Sequence, residues 1–320
     1  MESLFADLVA QEQAVMLLGA SLAKDRVAPA YLFAGPDGVG RRLAALRFLE
    51  GVLQGGSADL RQRRRLEARN HPDLLWVEPC YSHQGRLIPR SEAEAEGVMK
   101  RTPPQVRLEQ IREVSRFLAR QPLESTRGLV VLEEPEAMAE GAANALLKTL
   151  EEPGHGLLIL LSAAPERLLT TIRSRCQQIS FQRLDQGQMQ TVLGRLDADL
   201  RLKADAALAV PALQALAAGS PGALLRHADH WHAVPEELRA RLSELPSHPV
   251  EALALARDVC DALSGEQQLW LISWWQHQLW YQQGQAQGLQ RLERLRSHLL
   301  AYVQPRLAWE VTLLDLMAMG

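Results

Sequence analysis

Residues 35–42 read Gly-Pro-Asp-Gly-Val-Gly-Arg-Arg, close to the phosphate-binding pattern G-x-x-x-x-G-K-[ST]. Gly35 and Gly40 hold the frame positions, and Gly38 adds freedom between them. Such a loop works with a slim ammonium beside the β- and γ-phosphates and a hydroxyl that holds Mg²⁺. Arg41 stands at the lysine position and Arg42 at the hydroxyl position. A guanidinium is a planar fork rather than a point charge, so the exchange changes the chemistry. The frame of a nucleotide site is present, and the groups that turn nucleotide over are not.

The elements that would position this loop follow from apolar runs. Ala30–Ala34 is a short apolar strand that meets Gly35, and residues 43–49 turn helical. Strand, loop and helix are the context such a loop needs. Further strands are expected at 73–77, introduced by His71-Pro72, at 128–132, at 157–161 and at 178–181. Leu108, Ile111, Val114, Phe117 and Leu118 recur at helical spacing, and 139–150 forms a helix rich in Ala and Leu. Strands alternating with helices imply an α/β fold with a parallel sheet covered on both faces. Residues 80–105 are polar, carry Pro89, Pro103 and Pro104, and are expected to form a surface loop.

After Phe181 the strand signals disappear. Residues 184–228 read as short helices with a turn at Gly219-Ser-Pro-Gly222, 227–235 as a linker, and the remainder as helical. On one face of the segment 269–280 lie Leu271, Trp275 and Leu279, with Trp270 and Trp274 beside them. So wide an apolar stripe belongs either in the core of a helical bundle or at a subunit contact.

Composition sets outer bounds. The 320 residues are enough for two or three domains, and 47% hydrophobic with 23% charged is a globular composition. A formal net charge of −3 disfavours a free-standing DNA binder. Cys80, Cys176 and Cys260 are far apart and odd in number, which suits a reducing compartment and no disulfide framework. The start MESLFADLV lacks the apolar core of a signal peptide, and no apolar run reaches the length of a membrane span. A cytoplasmic protein is expected.

Several segments together resemble the AAA+ clamp-loader family. They are Ala30–Gly40, Asn70-His-Pro-Asp73, Ala143–Pro153, Pro165–Leu169 and Ile172-Arg-Ser-Arg-Cys176. The run Asn144–Pro153, followed about twenty residues later by Ser174-Arg175-Cys176, is the specific part. The resemblance covers residues 1–230; beyond that only length and helical character agree. It implies an AAA+ parallel-sheet domain over 1–182 with a degenerate loop, a small helical lid over 183–230, and a helical collar over 231–320. It also implies partners: gamma/tau-like ATPase and delta-like subunits in a pentameric ring, and through that ring a sliding clamp and primer-template DNA of the polymerase III replication machinery.

The same resemblance assigns positions one by one. The family's Walker B strand ends in Asp-Glu, and here it ends in Glu133-Glu134, so the carboxylate at the Mg²⁺ position carries an extra methylene. The lid's sensor arginine falls at Gly222, which has no charge, and the strand sensor falls near Ser162 and Ala163. Together these departures imply no ATP hydrolysis and no stably bound cofactor, with ATP and Mg²⁺ at the neighbouring subunit. Two alternatives stand: weak ATP binding by Arg41 and the loop amides, and a nucleotide-hydrolysing motor subunit, which would need Lys and Ser/Thr at 41 and 42. Arg175 falls at the family's interface arginine, which stabilises charge on a neighbour's transferring phosphoryl group and is worth about 10³–10⁵ in rate. Ser174 caps or turns the chain there, and Cys176 is expected to be a small buried hydrophobe.

Related bacterial subunits hold a structural zinc with four cysteines in the interval that corresponds to 51–70. Here that interval contains no cysteine or histidine, so no zinc is expected. It carries instead Arg61, Arg63, Arg64, Arg65 and Arg69, a solvated helix face or a contact for DNA phosphates. His71 is expected to position the second strand, Lys148 to be exposed on its helix, and Val9-Ala-Gln11, which resembles the family's adenine-side segment, to serve packing.

Overall fold

A computed structural model describes residues 4–93, 95–98, 103–152, 154, 156–242, 246–283, 286–301 and 303–318. Pro153, the last residue of the run Asn144–Pro153, lies outside the described residues, as do 94 and 99–102 within the expected loop. The chain divides into two compact units, one of Met1–Val98, Pro104–Arg195 and Gly219–Gly222, the other mainly of Leu196–Ala218 and Ala223–Gly320.

In chain order the first unit contains α1 (Glu12–Ala23), β1 (Ala30–Ala34), α2 (Arg41–Leu53), α3 (Leu60–Glu67), β2 (Leu74–Val77), β3 (Cys80–His83) and β4 (Arg86–Pro89). It continues with α4 (Leu108–Ala119), β5 (Leu129–Glu133), α5 (Glu140–Glu151), β6 (Leu157–Ser162), α6 (Thr170–Arg173), β7 (Gln177–Ser180) and α7 (Gln186–Leu193). Five strands form one parallel sheet in the order β2-β5-β6-β1-β7. Alternate residues of the central strands feed two cores. Tyr31, Phe33, Val131 and Ile159 pack with Phe48, Leu49 and Leu18 on one face. Leu32, Val130, Leu132 and Leu160 pack with Ile111, Val114 and Leu146 on the other. The α/β expectation is met, because strands buried on both faces must be apolar throughout.

Register fixes what the sheet presents. Ala34 lies beside Ser162, and Glu133 beside Leu161. The loop after β1 and the ends of β5 and β6 therefore share the carboxyl edge of the sheet, where open parallel sheets place their ligand sites.

Residues 80–89 depart from the expected surface loop. They form the antiparallel hairpin β3–β4, with Gln84 and Gly85 at its turn, both at positive φ. Tyr81, Ile88, Ala93 and Val98 make a small core of their own beneath it. Four-residue strands with one buried apolar residue in β4 leave little alternation to read.

The second unit is helical: α8 (Ala198–Leu208), α9 (Pro211–Ala217), α10 (Pro221–Ala233, beginning in the first unit), α11 (Glu236–Leu242), α12 (Pro249–Ala262), α13 (Gly265–Gln283), α14 (Ala286–Leu300) and α15 (Pro305–Met317). The linker expected at 227–235 is a second departure, since α10 runs through most of it. Tertiary contacts explain the helix. His230 stacks on Trp270, and Trp231 packs against both Trp270 and Trp274. The tryptophan stripe of α13 is core: Trp270, Leu271, Trp274, Trp275 and Leu279 are buried, and Trp280 is exposed.

Candidate functional site: a self-paired loop and an outlying arginine

The loop begins where β1 ends. Gly35 has φ +157°, and a Cβ there would lie 2.4 Å from the carbonyl oxygen of Phe181, so only glycine fits. Gly38 and Gly40 complete the turn into α2 at positive φ. Gln11 ties the preceding segment to it. Its side chain donates to the carbonyls of Val39 and Gln182 and accepts from the Gln182 amide. The Val9–Gln11 segment thus packs the loop in place.

Both arginines of the loop have partners inside the chain. Arg41 is buried, and its Nη2 donates to Asp37 Oδ1 at 3.1 Å. Its Nε and Nη1 have no hydrogen-bond partner. Burial lowers its pKa, against the opposing fields of Asp37, Glu136 and Glu134. Arg42 lies 5.1 Å over the ring of Trp76, with Nη1 3.8 Å from Glu133 Oε1. The Trp76 indole donates to the same Glu133 oxygen at 2.7 Å, and Arg69 Nη2 is 3.7 Å from it. The Glu133 carboxylate is thus shared by an indole and two guanidinium groups.

Glu134, just past β5, has a left-handed backbone at φ 48°. Its Oε1 accepts from Arg90 at 2.7 Å. Burial and the neighbouring carboxylates hold its pKa above the usual range despite Arg90. Ser162 is fully buried, and its Oγ has no partner. The amides of Ala163 and Ala164 donate to Glu136 Oε1.

Sequence reasoning missed what covers the loop. Ser220 Oγ donates to the Asp37 carbonyl at 2.6 Å, and the Gly222 amide donates to the Gly38 carbonyl at 3.0 Å. A Cβ at Gly222 would stand 2.8 Å from Gly38 Cα. Gly222 therefore does more than lack a charge; its missing side chain lets the start of α10 touch the loop. The signal available was the glycine itself, at a helix position where glycine is unfavourable.

Glu133 is met by two guanidinium groups, and among the described residues Arg41 pairs with Asp37 alone while feeling the fields of Glu136 and Glu134.

Arg175 lies elsewhere. It precedes β7, and Gln177 pairs with Tyr31, four residues before Gly35. At about 3.3 Å per residue, roughly 13 Å of strand separates that level from the loop. Arg175 Nη2 donates to Glu151 Oε1 at 2.7 Å and Nη1 to the Thr171 carbonyl at 3.0 Å. Ser174 Oγ donates to the Thr171 carbonyl and tightens the turn. Cys176 is half-buried against the α5 side of the core, and burial pushes its thiol up to about 12.

His71 Nδ1 accepts from the Asp73 amide. Asp73 in turn accepts from the amides of Leu123, Glu124 and Ser125 and from the Ser125 hydroxyl. Lys148 is exposed on α5. The basic run splits. Arg63 pairs with fully buried Glu50, Arg65 with Glu124 and Arg69 with Glu78, while Arg61 and Arg64 are exposed. Among the described residues no three His, Cys, Asp or Glu side chains group as a metal site.

Residues 10–185, more than half of the chain, match the family model described as DNA polymerase III, delta subunit. Residues 187–316 match the model for the cyanobacterial DNA polymerase III delta prime C-terminal domain. The chain is 34% identical over 180 residues to the delta' subunit of Bacillus subtilis and 37% identical over 158 residues to that of Pseudomonas aeruginosa. Those matches take in 54% and 47% of this chain and 48% and 42% of the relatives, so the chain spans about half the length of the curated relatives it matches. A solved DNA polymerase III gamma-subunit-related protein of Thermotoga maritima shares the fold, with a TM-score of 0.53 at 17% identity over 96% of this chain and 99% of that one. The chain belongs to the DNA polymerase III delta-subunit family, and the relatives it resembles include delta' subunits.

Proposed function

We propose that this chain is a non-hydrolysing, delta'-type subunit of a clamp loader. It completes a ring with gamma/tau-like ATPase and delta-like subunits in the bacterial cytoplasm. That ring places a sliding clamp on primer-template DNA. The observation that carries the reading is the self-pairing of the loop: Arg41 on Asp37, Arg42 beside Glu133, and Gly222 on Gly38.

Arg175 supports the second half of the reading. It sits towards the amino edge of the sheet, away from its own loop, and remains partly exposed. An arginine so placed acts on a phosphoryl group of another subunit, as a guanidinium supplied in trans. ATP and Mg²⁺ then belong to the neighbour. The domain division that goes with this reading is 1–182 for the α/β domain, 183–230 for the lid and 231–320 for the collar.

Equilibrium binding of a fluorescent ATP analogue with Mg²⁺ to the isolated chain tests the loop. No saturable binding at high micromolar protein is expected. Clear saturation would overturn the reading and make the chain a nucleotide-gated subunit.

A further inference from the structure

We infer that Glu151 is a positioning residue for Arg175, holding the guanidinium ready for a phosphoryl oxyanion of the adjacent subunit. The inference rests on the trans role of Arg175 proposed above. It begins from the ion pair itself, in which Glu151 Oε1 accepts from Arg175 Nη2 at 2.7 Å.

The pair joins the ends of two helices through open side chains. Glu151 is the last residue of α5, and Arg175 follows α6. Ile172 and Leu150 are buried in the core between these two helices. The Arg175 side chain is 36% exposed and that of Glu151 52% exposed. An ion pair this open contributes little to folding. Helix stability does not account for Glu151 either. It stands with Glu152 at the carboxyl end of α5, where the helix dipole disfavours negative charge. A carboxylate at an unfavourable position, bonded to a functional candidate, points to a role in that candidate's geometry.

What the pair provides is orientation. Arginine has five N–H donors, and two are engaged by Glu151 and the Thr171 carbonyl. Those two bonds fix the plane of the fork from two sides and leave donors for an incoming anion. Orientation set before the reaction lowers the barrier to chemistry without strengthening ground-state binding.

The test is steady-state ATP hydrolysis by the assembled complex with its ATPase subunits, using Glu151→Gln, Glu151→Asp, Arg175→Ala and the Glu151→Gln/Arg175→Ala double variant. Glu151→Gln should lower kcat by about fivefold and leave KM for ATP within about twofold. Glu151→Asp, which keeps the charge, should recover part of that loss. The double variant should be no slower than Arg175→Ala alone, because the two residues act as one unit. Wild-type kcat in Glu151→Gln, in a complex slowed by Arg175→Ala, would overturn the positioning role and leave the trans arginine standing. So would losses that multiply in the double variant, or failure of the Glu151→Gln complex to assemble. Normal turnover with Arg175→Ala would overturn the trans arginine and this inference with it.

Discussion

The backbone amide of Gly222 donates to the carbonyl of Gly38 at 3.0 Å, joining the start of α10 directly to the degenerate loop. No side chain fits between them. Arginine at 222, the residue type of an active lid, must push this contact apart. Gly222→Arg is expected to lower stability by about 1–3 kcal/mol, the usual range for overpacking. Urea unfolding of the chain checks it. An unchanged midpoint would mean that α10 and the loop part without resistance.

The interval 51–70 is tied down by charge. Glu50 is fully buried and accepts from Arg63 Nε at 2.9 Å and from the Asp59 amide at 2.8 Å. Arg47, also buried, pairs with Asp7 and with Glu67 of α3. Glu50→Ala removes the acceptor of the Arg63 guanidinium and of the Asp59 amide and should cost about 1–3 kcal/mol. Arg61→Ala, on the exposed face, should cost less than about 0.5 kcal/mol. Denaturant midpoints of the two variants separate a clamp from a solvated helix.

His227 gives the helical unit a pH dependence of stated sign. Its Nδ1 accepts from the Trp270 indole at 2.9 Å, which requires that nitrogen to be unprotonated. Burial lowers its pKa, Arg226 and His230 add to the lowering, and a backbone hydrogen bond with Leu216 opposes it. A histidine with a lowered folded pKa binds fewer protons folded than unfolded. Its contribution is therefore complete above the unfolded value of about 6.5 and is lost as pH falls below it. Thermal melts from pH 7.5 to 5.5 should show falling stability, and a shallower fall in His227→Asn.

Asp73 acts on a lower window. Burial alone would raise its pKa, but three amides and the Ser125 hydroxyl hold it below the usual range. The stability it supplies is present above about pH 3.9 and lost as pH falls through the folded value. Asp73→Asn should lower stability at pH 7 by about 1–2 kcal/mol, since an amide cannot accept all four bonds. The deficit should shrink near pH 3, which acid titration of both proteins would reveal.

How much was legible in the sequence depended on whether a residue's partner was local. The loop frame at Gly35, Gly38 and Gly40 follows from spacing, and the buried strands follow from unbroken apolar runs. Glu133 and Glu134 could be placed at the end of β5 for the same reason. The partners of these residues were not legible. Trp76 reaches Glu133 across two adjacent strands, and Arg63 reaches Glu50 across a turn. The basic run therefore read as a uniform exposed face, although part of it is an internal clamp. The β3–β4 hairpin escaped because its Gln84-Gly85 turn is not one of the strong hairpin dipeptides. The extent of α10 escaped because its histidines and Trp231 are held by α13, distant in sequence.

The most direct test of the central claim compares two single variants in the assembled complex: Arg42→Ala in the degenerate loop and Arg175→Ala at the outlying turn. ATP hydrolysis stimulated by clamp and primed DNA is the readout. The account predicts wild-type turnover with Arg42→Ala and at least a tenfold loss, within the ~10³–10⁵ ceiling for a trans arginine, at the site next to Arg175→Ala. Slowed turnover with Arg42→Ala, or unchanged turnover with Arg175→Ala, would contradict it.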